Sequence, residues 1–420
     1  MSTAFLSDRV LGIAPSPSIA ANALVTELRA QGRDIVNFTV GEPDFDTPAH
    51  ILEAASLAMH SGDTHYTATT GTLALRQAIC LKLQRDNDVV YGLDEVVAGC
   101  GGKHIIYHAL AATLNRGDEV IVHTPYWVSY PDIARLNDAT PVIIPGDESL
   151  GFKLSPAALE QAITPHTKWA ILNSPNNPSG AVYSEAELLA LAQVLRRHPH
   201  VLVMADEIYE HFVYGDARHV PLTRLAPDLK PRTLIVNGAS KGYAMTGWRL
   251  GFGAGPAWLI AAIAKLLSQT TTCPSSLSQA AAVAAFAGDQ APIAGMREEY
   301  QQRRARILAL LEGIPELSIT PPDGAFYVFA NVSGLMGKLT PQGDRLDSDT
   351  QLVDYLLRDY GLATVSGAAY GMSPYVRLSF ASSLDVIEEG CRRLKDACND
   401  LRSTATRNTR RPADGRLLTA

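Results

Sequence analysis

Cysteine is scarce in this chain: five in 420 residues, at Cys80, Cys100, Cys273, Cys391 and Cys398. No two stand in a C-x-x-C pair, and an odd, scattered set indicates neither a zinc site nor a disulfide scaffold. Free thiols of this kind suit a reducing compartment. Charge is also thin, at 19% of residues, and its balance is acidic, with 36 Lys and Arg against 43 Asp and Glu for a net −7. A dedicated nucleic-acid binder needs clustered cations that this composition does not offer. Long apolar runs are missing too. The longest nearly apolar stretch, 251–264, contains Gly and Pro and stops at Lys265, short of the roughly 18 residues a membrane span requires. Residues 1–24 lack a basic stretch followed by an uninterrupted apolar segment, so they do not read as a signal peptide. What remains is the expectation of a soluble, cytoplasmic protein that handles small molecules.

What is present is globular: 46% of residues are apolar, and the length suggests two or three domains at about 150 residues each. Short β-rich runs at 96–98, 120–123, 141–145, 168–173, 201–205, 233–237 and 250–254 alternate with helical patterns such as 103–114, 155–163 and 184–197. Apolar strands separated by helix-length segments predict an α/β fold, a mostly parallel seven-stranded sheet covered on both faces. In such sheets ligands sit at the carboxyl ends of the strands. The pattern changes near Met296, where a long charged helix (296–311) leads into a smaller α+β unit with strands at 325–330, 362–365 and 375–381 and a closing helix at 384–398. The expected division is an N-terminal segment, 1–45, packing on the small unit or on a partner; a large domain, 46–295; a small domain, 296–398; and an Arg-containing disordered tail, 399–420.

Four clusters at predicted strand ends carry candidate chemistry. Gly99-Cys-Gly-Gly-Lys-His104 opens a helix, where glycines let the backbone approach an anion and free N–H groups await it; a structural turn accounts for it equally well. Asn173-Ser-Pro-Asn-Asn-Pro-Ser-Gly180 makes a stiff polar loop, which is also an ordinary turn composition. In Ala205-Asp-Glu-Ile-Tyr209 an apolar strand ends in acids that could simply cap the next helix. Asn237-Gly-Ala-Ser-Lys-Gly-Tyr-Ala-Met-Thr-Gly-Trp-Arg249 buries a lysine among small residues, which lowers its pKa and favours a nucleophilic amine, with an arginine fork eight residues on.

Taken in order, these clusters resemble the fold-type I pyridoxal 5'-phosphate (PLP) enzymes, and within them the class I aminotransferases of the bacterial aspartate aminotransferase group. The resemblance runs from about Val10 to Asp400 and includes Gly41-Glu-Pro-Asp-Phe-Asp-Thr-Pro48, Tyr66-Thr-Ala-Thr-Thr-Gly71, Pro125-Tyr-Trp-Val-Ser-Tyr130, Gly324-Ala-Phe-Tyr327 and Val376-Arg-Leu-Ser379. It implies that Lys241 forms the Schiff base with PLP and then moves the substrate's α-proton, and that Asp206 pairs with the pyridine nitrogen. Asn177 and Tyr209 would bond the ring's phenolic oxygen, and Trp127 would stack on the ring. The backbone N–H groups of Gly102 and Lys103, the Ser240 hydroxyl, Arg249 and Tyr66 would take the phosphate, with Tyr66 reaching across from a second subunit of a homodimer. Arg377 would clamp the substrate α-carboxylate, with Gly41 opposite.

Two departures from the family pattern stand out. Many relatives carry Ser or Thr where this chain has Gly238, and the arginine that animal-type aspartate aminotransferases use for the distal carboxylate has no counterpart near Ala264. The bacterial subgroup instead uses a lysine in the glycine-rich loop and small hydroxyl residues near the N-terminus, matched here by Lys103, Ser16 and Ser18. That implies a ping-pong transaminase with aspartate or glutamate as donor and a 2-oxo acid as acceptor. The alternatives are an aromatic or prephenate preference, another PLP reaction on the same fold (a β-lyase, decarboxylase or oxidase), or a non-catalytic sensor. No metal is implied.

Overall fold

A computed structural model describes residues 5–15 and 17–403, without the side chains of residues 18 and 19. Ser16, the side chain of Ser18 and most of the expected tail, 404–420, lie outside the described residues. A short helix, Asp8–Leu11, precedes the helix Pro17–Ala30 and a two-residue strand, β1 (Val36–Asn37). Next come the strands of the central sheet: β2 (Val96–Gly99), β3 (Glu119–His123), β4 (Thr140–Ile144), β5 (Thr167–Asn173), β6 (Leu202–Asp206), β7 (Thr233–Gly238) and β8 (Gly251–Ala254). Their order is β2-β8-β7-β6-β5-β3-β4. Strands β3 to β7 pair in parallel, and β8 runs antiparallel between β2 and β7.

Both faces of this sheet are covered, which is why its strands read as apolar throughout. Val120, Val122, Trp169 and Ile171 pack with the helices Gly102–Thr113 and Ala257–Thr270. The alternate residues Ile121, Ala170 and Leu172 pack with the helix Glu185–Arg197 on the other face. Local signals set the ends: Ser184 and Glu187 form a reciprocal capping box, and Ser155 caps a helix whose first residue is Pro156.

Beyond residue 290 the helix Ala291–Leu311 starts five residues earlier than its charged pattern suggests, because Pro292 fits the first turn, where no N–H is needed. It leads to β9 (Ser318–Ile319), β10 (Tyr327–Asn331), β11 (Leu362–Ala363), β12 (Val365–Ser366) and β13 (Tyr375–Ser379). An antiparallel sheet runs β12-β13-β10-β9, while β11 leaves it to pair in parallel with β1. The single strand expected at 362–365 is therefore two. The N-terminal segment is held here: Phe38 lies so close to Gly390 that any Cβ at 390 would fall 2.2 Å from its ring. The closing helix runs from Leu384 to Asp400 rather than to Cys398, and Leu401 is buried while Arg402 bridges to Leu339. The first residues assigned to the tail are thus folded.

One apolar cluster joins the two regions, running from Ile51, Leu75 and Phe252 to Phe326, Val376 and Ile387. A buried ion pair adds to it. Lys82 meets Glu210, whose carboxylate also accepts from Asn87 (2.6 Å) and Asn237 (2.8 Å), tying the loop after β6 to its surroundings.

Candidate active site

The loops that leave β2, β5, β6 and β7 end at one edge of the sheet, and between them and β13 lies a cavity of about 660 Å³. Gly41, Gly102, Lys103, Trp127, Asn177, Asp206, Tyr209, Ser240, Lys241, Arg249 and Arg377 all line it. Every residue assigned to the site from sequence whose side chain is described is here except Tyr66. That side chain is 87% exposed and lines a separate cavity beside Cys273 and Pro274.

At the floor, the Lys241 Nζ donates to the Gly41 carbonyl at 2.5 Å. Desolvation brings its pKa down to about 8, against the upward pull of Glu42. Asp206, the last residue of β6, is buried; its Oδ2 accepts from the Tyr130 hydroxyl at 2.6 Å and its Oδ1 from the Ile208 amide at 3.3 Å. Burial still lifts its pKa to about 6, so these bonds and the more distant charge of Lys241 do not fully compensate its desolvation.

One end of the cavity is built by backbone. Gly101 caps the helix Gly102–Thr113 with φ +91°, and a Cβ there would meet the Arg249 guanidinium at 2.4 Å. A Cβ on Gly251 would fall 2.4 Å from the Gly102 nitrogen. Arg249 is held over this corner by its bond to the Thr246 carbonyl (2.9 Å), and Ser240 is buried beside it. The departure at Gly238 has a steric cause: a Cβ would lie 2.7 Å from the Gly251 Cα, so the close approach of β7 and β8 leaves no room for a hydroxyl residue.

The other end is built by side chains. Arg377, buried on β13, donates to the Thr39 carbonyl (2.7 Å) and to Asn177 Oδ1 (3.1 Å). Its guanidinium lies 4.4 Å from the Tyr327 ring centroid and 5.3 Å from that of Tyr370, and its buried Nε has no hydrogen-bond partner among the described residues. Lys103 Nζ sits 4.8 Å from the Trp127 ring centroid, and its pKa is lowered first by burial and then by Arg249.

Sequence reasoning missed several lining residues. Tyr130 and Tyr327 lie within stretches that carried the family resemblance, but no role was drawn for either. Asn22, Thr26 and Arg29, from the helix Pro17–Ala30, left no signal, since that segment looks like an ordinary amphipathic helix.

The chain matches the family model for aminotransferase class I and II over residues 33–394. The chain belongs to that family. It is 47% identical over 395 residues to an aspartate aminotransferase of Rhizobium meliloti (strain 1021), covering 94% of this chain and 96% of that protein. It is 46% identical to an aspartate/prephenate aminotransferase of Cereibacter sphaeroides, over 95% of this chain and all of the other. Among solved structures, an aspartate aminotransferase from Rhizobium meliloti superposes with a TM-score of 0.91 at 46% identity, covering 94% of this chain and 99% of that one. One from Thermus thermophilus with maleate gives 0.88 at 38%, covering 93% and 99%.

The aminotransferase uses PLP as cofactor, and the cavity suits it. Asp206 is a buried anion that a protonated ring nitrogen would neutralise, Lys241 is a desolvated amine, and the corner of Gly101, Gly102, Ser240 and Arg249 offers N–H, O–H and guanidinium donors to a phosphate. Among the described residues no helix is long and apolar enough to cross a membrane.

Proposed function

We propose that this aminotransferase takes its amino group from a dicarboxylic amino acid, aspartate or glutamate, and passes it to a 2-oxo acid in a ping-pong cycle. PLP, when bound, supplies an electron sink for the substrate's α-carbon. The chain does the rest. Asp206, fixed by Tyr130, would hold the ring nitrogen and keep it protonated, while Trp127 would cover the ring face and Asn177 and Tyr209 would bond its phenolic oxygen. The backbone N–H groups of Gly102 and Lys103, the Ser240 hydroxyl and Arg249 would receive the phosphate. Arg377 would pair with the substrate α-carboxylate through its free Nε and one Nη, with Gly41 closing the other side. Lys241, whose lowered pKa leaves part of it uncharged near neutral pH, would carry the α-proton across the ring face.

The observation that carries the dicarboxylate reading is a further cation in the cavity, apart from Lys241, Arg249 and Arg377. Lys103 stands over Trp127 in the same cavity as Arg377 and forms no ion pair with a carboxylate among the described residues. Ser16 and Ser18 would assist it. The relatives named as aspartate and aspartate/prephenate aminotransferases support the same class, and the second name supports larger ring-bearing dicarboxylates as further acceptors. The exposure of Tyr66, away from the cavity, fits a homodimer in which it serves the partner's phosphate. Five free cysteines suit a cytoplasmic setting.

A half-reaction tests this. Aspartate should convert the bound cofactor to its amine form, seen as loss of the visible band, and 2-oxoglutarate should restore it. Conversion by alanine or phenylalanine with equal efficiency would overturn the dicarboxylate assignment.

A further inference from the structure

We propose that Tyr327 is a positioning residue for this reaction: its hydroxyl fixes the direction in which Tyr209 donates, and its ring seats the guanidinium of Arg377. The inference rests on the reading above, in which Tyr209 faces the phenolic oxygen of PLP.

Tyr327 opens β10 and is fully buried, one strand away from Arg377 on β13. Its hydroxyl is 2.9 Å from that of Tyr209, and a Cβ on Gly41 would fall 3.4 Å from it. The Tyr209 ring is wedged edge-on against both Phe326 and Tyr327, at 5.3 and 5.9 Å, so it is not free to swing.

A tyrosine hydroxyl carries one proton, and in the isolated pair either oxygen can donate. Once Tyr209 gives its proton to an oxygen in the cavity, the pair stays bonded only if Tyr327 donates to Tyr209. An O–H that itself accepts a hydrogen bond is a stronger donor. The Arg377 charge over the Tyr327 ring strengthens that ring's O–H in turn. One side chain thus acts on two groups of the site, the phenolic oxygen through Tyr209 and the substrate carboxylate through Arg377.

The charged groups facing Tyr209, Tyr327 and Lys241 are Asp206, Glu42, Arg249 and Arg377, and Tyr327→Phe alters none of them. Hydrogen bonds to the phenolic oxygen favour its anionic form and so reduce the proton affinity of the neighbouring Lys241–cofactor linkage. Weaker donation should therefore raise the pH midpoint of its visible absorbance change.

The test uses the PLP-loaded protein. Tyr327→Phe should raise that midpoint by about half a unit to one unit, the worth of one hydrogen bond. The shift should be smaller than that of Tyr209→Phe and should vanish when made in the Tyr209→Phe background. Maleate affinity should stay within about twofold, because the ring under Arg377 remains. Tyr327→Leu, which removes the ring, should weaken maleate binding by roughly 3- to 30-fold. A wild-type midpoint in Tyr327→Phe, or a shift that persists without the Tyr209 hydroxyl, would overturn the proposal. A wild-type protein that shows no pH-dependent band with PLP supplied would instead overturn the cofactor assignments beneath it.

Discussion

The two ends of the cavity are made differently. The end proposed for the phosphate is backbone against backbone, where Gly101, Gly238 and Gly251 allow approaches that a single methyl group would block. The end proposed for the substrate carboxylate is an arginine set between Tyr327 and the nearby Tyr370, with bonds to Thr39 and Asn177 from segments far away in the chain. The first should fail by steric exclusion and the second by loss of a charge partner, so substitutions at the two ends should separate cofactor binding from substrate binding.

The largest effect belongs to the group between the two ends. Lys241→Ala should lower kcat by roughly 10²–10⁴-fold, as loss of a proton carrier does, and should abolish covalent attachment of PLP. Next comes the carboxylate end. Arg377→Ala should weaken the amino donor by about 2–5 kcal/mol, raising KM tens- to thousandfold, while the cofactor spectrum stays intact. A lost spectrum would mean that the ends are not separable.

Gly251→Ala should do the converse. Its Cβ would overlap the Gly102 nitrogen, so overpacking should cost about 1–3 kcal/mol, read as a lower Tm and weaker PLP binding. A donor KM that rises while PLP affinity holds would contradict the assignment of this corner. Asp206 gives a pH-dependent test. Its folded pKa, about 6, is above the ordinary value near 3.9, so its contribution to stability is full below about pH 4 and lost as pH rises through 6. In the cofactor-free chain Asp206→Asn should therefore raise stability at pH 7 by up to about 3 kcal/mol and leave it unchanged at pH 4, while weakening PLP binding. Equal effects at both pH values would count against a buried, uncompensated carboxylate. The smallest effect is expected at Lys103. Its replacement by Ala should reduce the preference for aspartate over phenylalanine by about tenfold in kcat/KM, a single-contact magnitude.

The same contrast explains what could be read from the sequence. The seven strands were legible because both faces of the sheet are buried, and the glycine-rich corner because close backbone approach leaves a mark in composition. The Lys241 and Asp206 loops follow such strands directly. Tyr130 bonds Asp206 across 76 positions and Tyr209 meets Tyr327 across 118, and neither periodicity nor turn chemistry records contacts of that range. The parallel pairing of β1 with β11 was hidden likewise, since two residues carry no pattern.

Lys241 is the residue proposed to hold the cofactor. Borohydride reduction of the PLP-loaded protein, followed by peptide mass mapping, tests it most directly. A pyridoxyl group fixed on Lys241 is the predicted result; a label on Lys103 or another lysine, or none with PLP supplied, would contradict it.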